Sequence, residues 1–408
     1  MKKLCSLLLA AAMVLSLAAC GSPAAAGSDS PADSNEPGAV QTERPSNGDS
    51  TSNKKGVIGY NYFAAGDYAL DTLANNTKRV IEACGYEAMG VCDNASLDQL
   101  VTDVENMISA GVDGLVLWMP NDSLYLKVAQ ICEDAGVPFC LSDKVPTDKA
   151  ITEQLESFKT YVGGVTPDNH SYGVQMGEFA LSQGYKSCFI LASGVGDASG
   201  TPRIEGFTET FEAGGGQILG TQHTDDSNQA VTQAEDMYLA HTDADFIMAT
   251  GASTFGTAGL ETLKKYNDTR MKIVTADFDE SILASMKESD TVSFLIGDFL
   301  VCGSYASVLM CNYLNGTPIT DPDGSAPYID VVPAFSIPVA EQDLFAKYVA
   351  GDCIYSAEEC QAMMGLTLDQ FVNDVILKFD SLESRLQAKY EQGIISADEM
   401  EAAGLTVE

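Results

Sequence analysis

From Val57 onward the chain alternates short apolar runs with longer stretches in which apolar side chains return every three or four residues. "VIGY" (57–60) has the first pattern and predicts a strand. "DYALDTLANNTKRVIEACG" has the second, placing Leu70, Leu73, Val80, Ile81 and Cys84 on one face of a helix. "YEAMGVCD" predicts the next strand, and 97–110 the next helix, closed by Gly111. "GLVLWMP" follows as a strand, 122–135 as a helix closed by Gly136, and "VPFCLSD" as a strand. A helix that stops on glycine suits a left-handed cap, a conformation glycine adopts without steric penalty.

A second series begins near Tyr161, where "KSCFILAS", "GQILGTQ", "DFIMAT", "KIVTAD" and "VSFLIG" predict strands with helical segments between them. Continuously apolar strands belong in parallel sheets covered on both faces. Two such series predict an α/β protein of two doubly wound parallel-sheet lobes. In these sheets ligands sit beyond the carboxyl ends of the strands, where the strand order reverses. With two lobes, the expected site is the cleft between them.

The N-terminus departs from this alternation. Lys2 and Lys3 precede an apolar run from Leu7 to Ala19 broken only by Ser16, which is the layout of a secretory signal. The run falls short of the roughly 20 residues that a membrane-spanning helix needs. "LAAC" (17–20) matches the lipobox of bacterial lipoproteins, in which cleavage precedes the cysteine and acyl chains are attached to it. Residues 1–19 are therefore expected to be a lipoprotein signal peptide and Cys20 the acylated anchor, holding the protein outside the cytoplasm; the alternative is an ordinary export signal. Several acyl chains anchor stably where one binds only marginally. The segment after Cys20 up to residue 53 is rich in Ser, Ala, Gly, Pro and acids and has too little apolar surface to fold. It predicts a linker with a reach of about 30 Å.

The formal charge is −36, and loss of Lys2 and Lys3 with the signal takes it to −38. Such a chain repels phosphate backbones, so no nucleic-acid partner is expected. No second apolar run reaches membrane length, which leaves the lipid anchor as the expected membrane contact. Of 11 cysteines, Cys5 leaves with the signal and Cys20 carries lipid; the odd number remaining cannot pair completely. Several lie in apolar runs, where a thiol behaves as a small buried hydrophobe. Cys353 and Cys360 either form a local disulfide or stay as thiols. No cysteine has metal-site spacing and His170, His223 and His241 are scattered, so neither a metal nor a cofactor is expected.

Five motifs carry a resemblance: "AGVDGLVLWMPND" (110–122), "CEDAGVPFCLSD" (132–143), "RIEGF" (203–207), "IVTAD" (273–277) and "VVPAFSIPVA" (331–340). In order and spacing they resemble the type I periplasmic (solute) binding proteins, in particular the ribose- and galactose-binding group that serves sugar ABC transporters. The resemblance covers about residues 54–351 and implies a multi-strand hinge between the lobes. One lobe is expected over 54–162 plus 298–325, the other over 163–297 plus 326–351, and a C-terminal helical extension over 352–408. Cytoplasmic regulators with the same lobes carry a DNA-binding helix pair where this chain has a lipobox and linker, which sets that reading aside.

Carried over residue by residue, the resemblance implies ligand contacts from Tyr62, Asp67 and Tyr68 after the first strand; the tyrosines either face a sugar ring or belong to the lobe core. Asn121 and Asp122 follow the third strand's proline, and a carboxylate there accepts hydroxyl hydrogen bonds. Arg203 presents a planar fork to ligand oxygens, or is a surface arginine. Asp277 ends a strand, and Asp279 is a second acid there or a helix cap. Asp143 ends a strand near the cleft, whereas Trp118 reads as core. Two departures stand out: Thr250, Gly251, Ala252 and Ser253 replace the family's usual Asn-Asp, and Gly297 and Asp298 stand where a glutamine often closes the cleft. Thr250 and Asp298 are expected at those positions, and the ligand differs from ribose in size or polarity.

The resemblance implies capture of a small polar ligand by a monomer: a sugar, with nucleosides, polyols and amino acids as alternatives. It implies delivery to an ABC transporter permease. A sensor lipoprotein presenting its closed state to a receptor kinase or chemoreceptor is the rival. Catalysis is not expected: the chain has no Walker loop, G-x-S-x-G elbow or H-E-x-x-H. "SGVGDASG" (193–200) is glycine-rich but lacks a phosphate loop's lysine. In the tail, Leu368, Phe371, Val375, Leu382, Leu386 and Tyr390 predict one amphipathic helix packed on a lobe.

Overall fold

The computed structural model describes residues 55–298, 301–351, 354–379 and 381–406. The signal, Cys20, the linker and Cys353 lie outside the described residues. The first lobe is built from β1 (Val57–Tyr62), α1 (Tyr68–Ala83), β2 (Glu87–Cys92), α2 (Leu97–Ala110), β3 (Gly114–Leu117), α3 (Asp122–Ala135), β4 (Phe139–Ser142), α4 (Lys149–Leu155) and β5 (Tyr161–Pro167). The second holds α5 (Asn169–Ser182), β6 (Ser187–Ala192), α6 (Gly200–Ala213), β7 (Gln217–His223), α7 (Ser227–Ala240), β8 (Phe246–Ala249), α8 (Thr257–Tyr266), β9 (Lys272–Ala276), α9 (Glu280–Glu288) and β10 (Val292–Gly297). The chain then returns to the first lobe as α10 (Cys302–Leu314) and β11 (Tyr328–Val332), and crosses again to β12 (Phe335–Ser336).

The sheets run β2-β1-β3-β4-β5-β11 and β7-β6-β8-β9-β10-β12, parallel throughout except for β12 against β10. Strand order reverses between β1 and β3 in one sheet and between β6 and β8 in the other, and both switch points open toward the cleft. β3, β4 and β8 are buried along their whole length, as strands covered on both faces must be. The helices end where their glycines place them: Gly111 (φ 87°) closes α2 and Gly136 (φ 68°) closes α3, both in the left-handed region.

Three features differ from the sequence reading. β5 pairs with β4, so the strand that starts at Tyr161 belongs to the first sheet, and a lobe boundary at 162 would cut it in two. Its "YVGGVTP" carries two glycines and a proline, residues depleted in strands, and this hides it. β11 pairs with β5, so the last crossing follows Val332 and not residue 326. The tail is not one helix. It runs as α11 (Gln342–Phe345), α12 (Ala357–Ala362), α13 (Leu368–Phe371), a π-helical turn at Val372–Ile376, α14 (Leu382–Glu391) and α15 (Ala397–Ala402). Ser381 accepts from the Ser384 N–H and starts α14 afresh, so the apolar period of 368–390 spans a break.

The tail packs on the first lobe through α10, which is buried from Cys302 to Asn312. A helix buried on all sides needs cover on each of them. The sheet supplies one part, at β3, β4 and β5, and α1 another. The extension supplies the rest: Tyr305 meets Tyr355 through their hydroxyls at 2.6 Å and Phe371 edge-on at 5.8 Å, and Asn312 donates to the Met363 carbonyl at 3.2 Å. Among the described residues, no helix is long and apolar enough to cross a membrane.

Candidate ligand-binding site

A cavity of about 430 Å³ lies between the strand ends of the two lobes, within the size range of small-molecule sites. The first lobe lines it with Phe63, Asp67, Trp118, Asp143 and Lys144; the second with Asp197, Ser199, Arg203, Thr250, Asp277 and Phe278, among others. Two aspartates anchor the walls. Asp143 follows β4 and Asp277 follows β9, each the fourth strand of its lobe, and both hold left-handed backbone, φ 65° and 64°. Non-glycine residues adopt that conformation rarely, and it turns each carboxyl off its strand end toward the cleft.

Arg203 fixes Asp277. Its fork donates to both carboxylate oxygens at 2.7 and 2.9 Å, to the Thr250 carbonyl at 2.7 Å and, through Nε, to Asn169 Oδ1 at 2.9 Å. The guanidinium also lies over the Tyr172 ring at 4.9 Å. At 2 % exposure, burial works against its charge, but Asp277 outweighs that and holds its pKa above the ordinary value. With so many of its five N–H groups committed to protein acceptors, Arg203 acts mainly by positioning Asp277. The sequence arranges this through close helix packing. A Cβ on Gly206 would meet the His170 carbonyl oxygen at 2.2 Å, and one on Gly173 the Arg203 carbonyl oxygen at 2.0 Å. Only glycines let α5 and α6 approach so nearly, and that approach brings Arg203 beside Asn169.

Asp143 is held differently. Its Oδ2 accepts from the Trp118 indole N–H at 2.8 Å, and its Oδ1 has no hydrogen-bond partner among the described residues. Burial pushes its pKa up to about 6, against the opposing pull of Lys144 and the indole hydrogen bond. Trp118 packs its ring 5.4 Å from Phe63 and is held from behind by Asn61, which accepts from the Trp118 N–H at 2.8 Å and donates to its carbonyl at 2.9 Å. Asn61 in turn donates to Asp93 at 2.6 Å, and burial raises the Asp93 pKa to about 7.

Lys144 reaches across the cleft. Its ammonium donates to Ser199 Oγ at 2.8 Å and lies 3.5 Å from Asp197 of the second lobe. Asp197 also accepts from the Ser199 and Gly200 N–H groups. Burial opposes its charge, yet Lys144 and these N–H groups hold its pKa below the ordinary value. The glycine-rich 193–200 segment therefore carries lobe-to-lobe contacts.

Of the residues singled out from sequence, Asp67, Asp143, Arg203, Thr250 and Asp277 line this cavity. Asp67 does so while capping α1, accepting from the Ala69 and Leu70 N–H groups. Trp118, expected in the core, is buried but shows its ring to the cavity. Six residues lie elsewhere. Tyr62 packs half-buried against the core. Tyr68 lines a separate cavity with Glu280 and Gln342. Asn121 caps α3 through the Ser123 N–H, and Asp122 accepts from Thr147 Oγ1 at 3.4 Å. Asp298 is fully buried, taking a hydrogen bond from the Tyr172 hydroxyl while its other oxygen has no partner among the described residues; burial keeps its pKa well above the ordinary value. Asp279 is a helix cap, accepting from the Ser281 and Ile282 N–H groups. Sequence reasoning missed Asn61, Phe63, Lys144, Asn169 and Asp197. Asn61 left a signal, a polar side chain inside an apolar strand.

Residues 58–318 match the family described as periplasmic binding protein domain. The chain belongs to that family. The match spans both lobes and stops short of β11 and the C-terminal extension of this family member. Solved structures share its fold. A solute-binding protein of an ABC transporter from Bacillus halodurans C-125, with bound myo-inositol, is 16% identical with a TM-score of 0.59, covering 73% of this chain and 100% of its own. A galactofuranose-binding protein is 15% identical with a TM-score of 0.60, covering 76% and 99%. The arabinose ABC transporter's binding protein from Shewanella sp. ANA-3 is 14% identical at 0.59, covering 75% and 96%. No curated protein matches the chain.

Proposed function

We propose that this periplasmic binding protein captures a small polyhydroxylated solute, a sugar or a cyclic polyol, in the cavity between its lobes and delivers it to an ABC transporter permease. The observation that carries the reading is the pair of facing strand-end aspartates, Asp143 and Asp277, set among aromatic side chains at both switch points. Carboxylates accept hydroxyl hydrogen bonds, and aromatic faces cover the C–H face of a ring. Similarly folded proteins that hold myo-inositol or arabinofuranose support that ligand class. The role is capture, not catalysis: Asp67, Asp197 and Asp277 are held by protein donors around a space of ligand size.

The chain passes between the lobes after β5, between β10 and α10, and after β11, and these crossings form the hinge. Lobes so joined close as near-rigid bodies, and a solute that touches both favours the closed form. A permease that recognises the closed form receives the solute when the lobes part. Cys20 tethers the protein outside the cytoplasm through its acyl chains, and the linker gives it reach. The deciding experiment is calorimetry of the full-length protein, purified in mild detergent, against a panel of sugars, sugar amines and cyclic polyols. One-site binding is expected for at least one member, and it is expected to vanish in Asp277→Ala. A silent panel overturns the capture reading, and a mass spectrum with Cys20 unmodified overturns the anchor.

A further inference from the structure

We propose that the solute selected by this cavity carries a protonated amine: it is an amino sugar or aminated polyol of monosaccharide size. The inference rests on the capture reading and adds the charge of the guest.

Among the described residues, four carboxylates line the wall, Asp67, Asp143, Asp197 and Asp277, against two cations, Lys144 and Arg203. Three of the acids are already answered. Asp277 has the fork of Arg203, Asp197 has Lys144, and Asp67 has two N–H groups at the start of α1. Asp143 alone among them has no cation within salt-bridge distance and no helix end; one oxygen takes the indole N–H and the other has no hydrogen-bond partner. It is only 4 % exposed, and a carboxylate so far from water gains most from a cation brought to it. Its neighbour Lys144 does not serve, because Ser199 and Asp197 hold that ammonium toward the second lobe.

The remaining groups agree. Among the described residues, no asparagine or glutamine side chain lines the wall, and the Trp118 N–H and most N–H groups of Lys144 and Arg203 are engaged within the protein. The wall is rich in acceptors, with Ser193, Ser227, Ser253 and Thr254 supplying hydroxyls that pair with either type of group. An ammonium is donor-only and satisfies such a wall. Trp118, Phe63 and Phe255 line the wall with aromatic rings suited to its carbon skeleton and its charge. The chain's charge of −36 repels acidic solutes and concentrates cations.

The test is calorimetry of the full-length protein with glucosamine, galactosamine and mannosamine, their neutral parent hexoses, their N-acetyl derivatives and glucuronate. At least one amine should bind about tenfold or more tighter than its parent, the difference between a charge-assisted and a neutral hydrogen bond. N-acetylation should remove the advantage, and so should Asp143→Asn. If that variant fails to fold, the N-acetyl series makes the same deletion from the solute's side. Equal or tighter binding of the neutral hexoses overturns the inference and leaves capture standing. Binding of inositol or pentoses with silence from every amine does the same, whereas silence from all solutes overturns capture itself.

Discussion

Asp143 and Asp277 occupy equivalent places in the two lobes, each after a fourth strand and each in left-handed backbone, yet they are equipped in opposite ways. Asp277 lies in the fork of a buried arginine that also ties down Asn169 and the Thr250 carbonyl. Asp143 has one indole hydrogen bond and an unanswered oxygen. The second lobe therefore offers a wall set and neutralised before any ligand arrives. The first lobe offers an acid whose charge is left for the ligand to meet. A repeated backbone device thus gives one lobe that shapes the site and one that discriminates.

The sharpest way to break the comparison is Arg203→Ala. It leaves Asp277, Asn169 and the Thr250 carbonyl without their shared donor, and removing one member of a buried pair costs about 3 kcal/mol or more. Asp277 keeps 22 % side-chain exposure, which puts the expected loss at the lower end of that range. Urea denaturation reads it, and solute binding should fail as well. Arg203→Lys keeps the charge but not the fork, and should recover less than half of the stability. A loss below about 1 kcal/mol would mean that the backbone holds Asp277 without help from Arg203.

Next in size is the pH response of Asp143. Its pKa stands at about 6 in the folded chain against an ordinary 3.8, with burial as the leading cause. A raised carboxyl pKa means that the native state binds the proton more tightly than the unfolded chain does. Its contribution is full below about pH 4 and is lost as pH rises toward 6, on the order of 2–3 kcal/mol in all. Asp143→Asn should make that part of the stability profile shallower, leaving the fall that Asp93 contributes. Binding of an amine should strengthen through the same window, since only the ionised acid attracts it. A wild-type profile without a fall between pH 4 and 6 would remove the distinction between the two aspartates.

What the sequence disclosed divides along the same physical line. α2 and α3 fall on the boundaries expected from their apolar period because local chemistry ends them: Ser96 and Asn121 at the start, left-handed glycines at the finish. β5 and β11 escaped because their strand character comes from neighbours, β5 through glycines and a proline and β11 as an edge strand with three of five residues exposed. The tail kept a helical period across a break that Ser381 imposes. In the site, strand-end acids were legible because they follow apolar runs directly. Lys144 with Asp197, and Arg203 with Asn169, were not, since each pairing exists only after the lobes or helices have packed.

The smallest expected effect concerns the contact that joins the two halves of the comparison. Lys144 adjoins Asp143 but gives its ammonium to Asp197 and Ser199 across the cleft, so opening the lobes breaks it. A partly exposed ion pair contributes about 1 kcal/mol or less, and that contribution belongs to the closed form alone. Asp197→Asn removes the charge and leaves Oδ1 to accept from the Ser199 and Gly200 N–H groups, so the loop should keep its shape. The closed population should fall by up to about fivefold, and solute affinity by the same factor, because the solute binds the closed form. Small-angle scattering of the ligand-free protein should show a larger radius of gyration. Lys144→Met breaks the same contact and also takes away the positive field that restrains the Asp143 pKa. It should therefore move the pH window upward, while Asp197→Asn should not. If both variants scatter and bind as the wild type does, the lysine is no latch, and the first lobe closes on its guest through Asp143 and the aromatic wall alone.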